Sequence, residues 1–296
     1  MTDTLKRFIA SLFVVVFAGG CSTNVERGEA TPVQPVSAPE TALSRKSELT
    51  LLNSQGKHLE YFIREPRRAT RPLPAVFILA GVETGRESLD LIDDRDDLVL
   101  LSMNYPGGND LRLSGPSVLM APFTLRRIAS ETLEGGVLAL DYLSRRKDID
   151  QHRIILLGVS FGSPIIISLS ARDPRADAVV VIYGGGDLGQ LARHNMSGKP
   201  WWLPGWVIAP TMRLFLGDFE PLDHIEKVAA RYLLMVSSRQ DEMIPMASAQ
   251  ALFERAKEPK KQLWYDTGHM DLFDRQLIRR LTRDVVADLR AAGYLH

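Results

Sequence analysis

Ile154-Ile155-Leu156-Leu157-Gly158-Val159-Ser160-Phe161-Gly162-Ser163-Pro164-Ile165-Ile166-Ile167 is the stretch from which the rest of the chain can be read. Its first half is a short apolar run with β-branched residues that ends in glycine, which predicts a buried strand. Its second half predicts a buried helix starting just past Gly162, with Pro164 in the first turn, where a missing N–H costs nothing. Between them lies G-x-S-x-G. A turn this tight lets strand and helix approach only if the residues at 158 and 162 lack a Cβ. Ser160 is then held in a strained backbone conformation with its hydroxyl raised above the sheet edge. The N–H of Phe161 points into the same space, at the positive end of a helix, where an oxyanion would be stabilised.

Outward from that stretch, continuous apolar runs predict strands at Pro74–Ala80, Leu98–Met103, Arg153–Leu157, Ala178–Tyr183, Tyr232–Val236 and Gln262–Tyr265. Runs apolar on both faces suit a parallel sheet covered by helices. Helical patterns fall between them, at about 124–146, 163–171, 246–257 and 273–291, and two earlier strands are expected at Leu49–Leu52 and Leu59–Arg64. The alternation predicts an α/β fold with a doubly wound, mostly parallel sheet.

The formal net charge is +0 and 45% of the residues are apolar, so a sizeable core is available. No basic surplus points to nucleic acid. The acidic cluster Asp93, Asp94, Asp96 and Asp97 is interrupted by Arg95 and is expected to be a solvated turn rather than a cation site.

The amino-terminal residues form a targeting pattern. Lys6 and Arg7 precede a charge-free apolar run from Phe8 to Ala18, and Ala18-Gly19-Gly20 are small residues before Cys21. The run is shorter than the ~20 residues a spanning helix needs. Cys21 is the only cysteine in the chain, which excludes an internal disulfide. Its setting resembles the lipobox of bacterial lipoproteins, although Ala18 stands where leucine is usual. That resemblance implies a signal peptide over 1–20, lipidation of Cys21, and a domain anchored in the bacterial cell envelope. Ser22 is compatible with the outer membrane. Residues 21–47, with Thr31, Pro32, Pro35, Ser37, Pro39 and Ser44, have the composition of an extended tether. The catalytic domain is expected over 48–296.

The order of elements, the elbow Gly158-Val159-Ser160-Phe161-Gly162, and two later motifs resemble the α/β-hydrolase fold. The motifs are Ser237-Ser238-Arg239-Gln240-Asp241-Glu242-Met243-Ile244-Pro245 and Thr267-Gly268-His269-Met270, each just past a strand. The resemblance implies a nucleophile, acid and base in the order Ser160, Asp241, His269. A serine hydroxyl needs a base within hydrogen-bond reach, and histidine suits because its pKa lies near neutrality. Of six histidines, His58 lies in an early strand, His152 precedes the elbow strand, His194 and His224 lie in the insertion, and His296 ends the sequence. His269 alone follows a late strand. For the acid, Glu242 and Asp187 stand as alternatives to Asp241, while Asp266 is too close in sequence to His269. By the same resemblance the second oxyanion donor is the N–H of Val82, in the loop Ala80-Gly81-Val82-Glu83-Thr84-Gly85. Many relatives carry His-Gly where this chain has Ala80-Gly81, which leaves open what braces that loop.

Residues 184–225 interrupt the strand–helix rhythm and resemble the cap of α/β-hydrolases. They hold Trp201, Trp202 and Trp206, which close over Ser160 and limit acyl length, pack the insertion onto the body, or, as a third reading, touch a membrane surface. Together these features imply a serine hydrolase, foremost a carboxylic ester hydrolase (carboxylesterase-like) working through an acyl-enzyme on a small-molecule ester. No metal or organic cofactor and no nucleic-acid partner is expected. A peptidase or thioesterase on the same residues, or a non-catalytic envelope binding protein, are the alternatives, and the oligomeric state is not readable.

Overall fold

A computed structural model describes residues 41–53, 56–107, 120–196 and 205–296. Cys21, the signal segment, most of the tether, Trp201 and Trp202 lie outside the described residues. Eight strands form one sheet: β1 (Ser44–Leu52), β2 (His58–Pro66), β3 (Leu73–Leu79), β4 (Val99–Met103), β5 (Ile149–Val159), β6 (Ala178–Ile182), β7 (Tyr232–Ser238) and β8 (Lys260–Tyr265). Their spatial order is β1-β2-β4-β3-β5-β6-β7-β8. β1 pairs antiparallel with β2, and β2 with β4, while the remaining neighbours are parallel. The helices are α1 (Ala121–Ser144), α2 (Gly162–Arg172), α3 (Leu188–Asn195), α4 (Gly205–Leu216), α5 (Pro221–His224), α6 (Met246–Arg255) and α7 (Arg275–Ala291). Among the described residues no helix is long and apolar enough to cross a membrane.

The strands that read as apolar on both faces are the ones buried on both faces. Every residue of β3, β4 and β6 is buried. Side chains alternate across a strand, so Phe77 and Leu79 join Leu156, Val179 and Met235 in the layer that also holds Leu140, Ile166 and Leu169 of α1 and α2. Val76 and Ile78 join Ile155, Val180 and Leu234 in the opposite layer, closed by Leu281, Val285 and Leu289 of α7. α7 earns that place by its spacing, with Leu277, Ile278, Leu281, Val285 and Leu289 buried on one stripe. Its first turn is capped by Asp274, which accepts from the Leu277 N–H at 2.9 Å.

Two expectations need correction. The tether does not run to residue 47, because β1 starts at Ser44 and pairs in register from Ser44 with Pro66. Its polar residues suit an edge strand with one face in water, so apolarity alone missed the first five residues. β5 likewise begins at Ile149, where Asp150, Gln151 and His152 extend the strand past the apolar run. Between β6 and β7 the described residues hold three helices, α3, α4 and α5. Trp206, at the start of α4, is 77% exposed, so this ring neither closes over Ser160 nor packs against the body.

Candidate active site

The strand–turn–helix around Ser160 forms as its glycines require. Ser160 has φ +49°, in the left-handed region that non-glycine residues rarely adopt. The conformation is held by the Ser160 N–H donating to the Ile182 carbonyl at 2.8 Å, and by the Ser163 N–H donating to the Ser160 carbonyl at 3.0 Å. A Cβ on Gly158 would stand 2.8 Å from Ser163 Cα, and one on Gly162 only 2.1 Å from the Leu79 carbonyl oxygen. The second contact is with the end of β3, so it fixes how closely α2 approaches the sheet.

Two strands that end at the same edge as β5 deliver the other groups. The loop after β7 carries Asp241 and the loop after β8 carries His269. His269 Nε2 lies 2.9 Å from Ser160 Oγ. His269 Nδ1 lies 2.9 and 2.8 Å from the two Asp241 carboxylate oxygens. A carboxylate only accepts, so Nδ1 carries the hydrogen and Nε2 is left to accept the serine hydroxyl. The Asp241 side chain is 2% exposed. It is not left to the imidazole alone, since Oδ1 also accepts from the N–H groups of Met243 and Ile244, each at 2.8 Å.

The other candidate acids and histidines have separate structural places. Glu242 accepts the main-chain N–H of His269 at 2.9 Å, so it holds the histidine loop rather than the ring. That bond keeps its carboxyl below the usual range. Asp187, at φ +57°, caps α3 and accepts from the Gln190 N–H at 3.0 Å. Asp266 pairs with Arg239 at 2.9 Å. His194 Nε2 lies 2.8 Å from the Glu242 carbonyl, and Asn195 donates to the Met243 carbonyl at 2.9 Å, so the helical insertion grips the acid loop. His224 bonds the Asp218 carbonyl at 2.8 Å, and His296 sits against Arg153. His58 opens β2, two strands to the side of β3 and three from β5, and His152 is exposed near the start of β5, at the edge opposite the elbow.

Among the described residues, neither the Phe161 N–H nor the Val82 N–H donates to another group. The loop that holds Val82 is a closed turn, with the Gly81 carbonyl accepting from Thr84 Oγ1 at 3.0 Å and from the Thr84 and Gly85 N–H groups at 3.1 and 3.2 Å.

Two tyrosines of the site escaped the sequence reading. Tyr105, fully buried just past β4, donates its hydroxyl to the Ala80 carbonyl and meets the Phe161 ring edge-on at 5.3 Å. Burial pushes its phenol far up, so it stays a donor. Tyr105 thus supplies the brace that the absent histidine left open. Tyr183, at φ +53°, meets the His269 ring edge-on at 5.5 Å and shares a 2.8 Å hydrogen bond with Thr267. Both follow strand ends at the elbow edge, which is the one signal that could have singled them out.

The acidic cluster is a turn with Asp93 and Asp96 exposed, as expected, while its other two carboxylates are bonded. Asp94 accepts from the Leu43 N–H at 2.9 Å and from the Ser44 hydroxyl, and Asp97 pairs with Arg95 and Arg290. Among the described residues no group of three His, Cys, Asp or Glu side chains is placed to hold a metal ion.

The sheet order, the serine elbow and the acid and base on the loops after β7 and β8 define an α/β-hydrolase fold. The sequence matches the family described as BAAT / Acyl-CoA thioester hydrolase C terminal over residues 138–257. That stretch runs from α1 through the elbow to the end of α6, so it contains Ser160 and Asp241 but not His269. The chain is 27% identical over 134 residues to the uncharacterized protein Rv2307c of Mycobacterium tuberculosis, a match covering 45% of this chain and 43% of that protein. The chain therefore aligns with less than half the length of that relative. In three dimensions it is similar to an acetyl xylan esterase from Paenibacillus sp. R4, with a TM-score of 0.65, 16% identity, and 89% and 90% of the two chains covered. A second similar structure is acetyl xylan esterase 1 from Thermoanaerobacterium sp., with a TM-score of 0.61, 13% identity and 86% of each chain covered.

Proposed function

We propose that this chain is a serine hydrolase that cleaves carboxylic esters through an acyl-enzyme on Ser160. The observation that carries the reading is the continuous bond from Asp241 through His269 to Ser160 Oγ, 2.8 Å and 2.9 Å long, on a serine held in a strained elbow. Ser160 Oγ attacks the substrate carbonyl while His269 Nε2 takes its proton, and Asp241 stabilises the imidazolium. The tetrahedral oxyanion accepts hydrogen bonds from the N–H groups of Phe161 and Val82. Collapse expels the alcohol, which takes the proton from His269. A water then gives its proton to His269 and attacks the acyl-serine, and the acid leaves with Ser160 restored.

A thioester is the second reading, favoured by the family match over 138–257. The same steps serve it, with a thiol as leaving group. We also propose a lipid anchor at Cys21, which would place the domain in the bacterial envelope. It rests on the residues around that single cysteine.

A fluorophosphonate probe on the purified protein tests the central reading. Wild type should label and Ser160→Ala should not. His269→Ala should lower kcat by several orders of magnitude, and Asp241→Asn nearly as much, because the wrong imidazole tautomer is then favoured. Absence of labelling in the folded wild type would mark the chain as a binding protein. Matched ester and thioester substrates then separate the two hydrolytic readings.

A further inference from the structure

The connection from β3 to β4 lays only the seven-residue 3₁₀ helix Gly85–Leu91 over its face of the sheet. That segment is about 14 Å long and covers the sheet only in part, leaving α7 to close the rest. The effect reaches the centre of the sheet. Leu157, in β5 and flanked in register by Ile78 of β3 and Val180 of β6, is only half-buried.

Between the sheet, the 3₁₀ helix and α7 lies a cavity of ≈110 Å³. Its body is apolar, walled by Ile78, Leu100, Leu157, Leu281, Val285 and Leu289. Its lining also includes Ala80, Val159, Ile182 and Met270. Each of these adjoins the proposed chemistry. Ala80 leads into Gly81-Val82, Val159 precedes Ser160, the Ile182 carbonyl holds the Ser160 N–H, and Met270 follows His269. Ser88, also on the wall, is 5% exposed, and among the described residues its hydroxyl has no hydrogen-bond partner.

We propose that this cavity is the acyl-chain site, taking a straight chain of medium length whose carbonyl end reaches Ser160. The inference rests on the serine hydrolase reading above. Apolar walls select hydrocarbon over any charged or hydrated group. An apolar cavity of about 150 Å³ stays dry and holds a benzene-sized guest. Scaled from that, the present one suits about four to five carbons beyond the carbonyl.

The test is kcat/KM for nitrophenyl esters from acetyl to decanoyl, measured on the full chain and on two variants. In wild type the value should rise by up to about fourfold per methylene to near hexanoyl and then fall. Val285→Phe places a ring in the cavity and should lower the hexanoyl-to-acetyl ratio at least tenfold. Val285→Ala enlarges the cavity and should move the optimum to longer chains, which keeps the test decisive if the larger residue prevents folding. A wild type that labels with fluorophosphonate but shows a flat profile, or the same optimum in Val285→Ala, would overturn the cavity assignment and leave the hydrolase reading standing. A folded wild type that fails to label would overturn the hydrolase reading, and this inference with it.

Discussion

Tyr105 joins the two halves of the proposed oxyanion site. Its hydroxyl holds the carbonyl of Ala80, two residues before Val82, and its ring edge meets Phe161. Removing the hydroxyl leaves the Ala80 carbonyl without its partner in a buried place, at a cost of about 1–3 kcal/mol. The loop that carries Val82 would relax toward another donor. Shifts of about an ångström at a reacting centre cost up to about a hundredfold in rate. Tyr105→Phe should therefore lower kcat roughly tenfold or more while leaving KM within about twofold, measured on one nitrophenyl ester beside a melting curve. A residue that merely packs would lower the melting temperature and leave kcat alone.

Among the elements, β1 is fastened at its first residue by a side chain from the far end of another connection. Asp94 takes the Leu43 N–H and the Ser44 hydroxyl, and Lys46 on the same strand reaches Asp90 at 2.7 Å. Desolvation pushes the Asp94 carboxyl up, but the bonds from Ser44, Thr41 and Leu43 outweigh it and hold the group at about 2. The folded pKa is thus below the unfolded value. The stabilisation is present above about pH 4 and is lost as the pH falls toward 2. Wild type should lose more of its urea midpoint between pH 5 and pH 2.5 than Asp94→Asn does, because the amide does not titrate. Equal losses in the two proteins would release β1 from this clasp.

The whole chain combines the α/β body with an amino-terminal segment of different composition. If Cys21 carries lipid, Cys21→Ser should free the protein from membranes and end incorporation of radioactive palmitate. Hydrolysis of a soluble ester should be retained, since the elbow, the acid and the base all lie in the body that begins with β1. Continued palmitate incorporation by the variant would remove the anchor. The body divides unevenly about its sheet. α1, α2 and α6 pack on one face, whereas the other is left to α7 and a short 3₁₀ helix, and the cavity lies on that second side.

The sequence by itself determined the class of fold, because strands buried on both faces are apolar throughout and their alternation with helices is periodic. It also determined the elbow, since only glycine fits at 158 and 162. It placed Ser160, Asp241 and His269 on the loops that the structure brings together. What it could not decide depended on contacts between distant residues. β1 was half missed because an edge strand needs no continuous apolar run. Asp241, Glu242 and Asp187 are chemically alike, and only the tertiary structure gave one the imidazole, one the His269 N–H and one a helix cap. Tyr105 carries no local motif and gains its meaning from reaching Ala80, 25 residues earlier in the chain. The cavity is furthest from sequence, because every residue on its wall reads as core. Whether such residues fill their space depends on how far one short 3₁₀ helix reaches across the sheet.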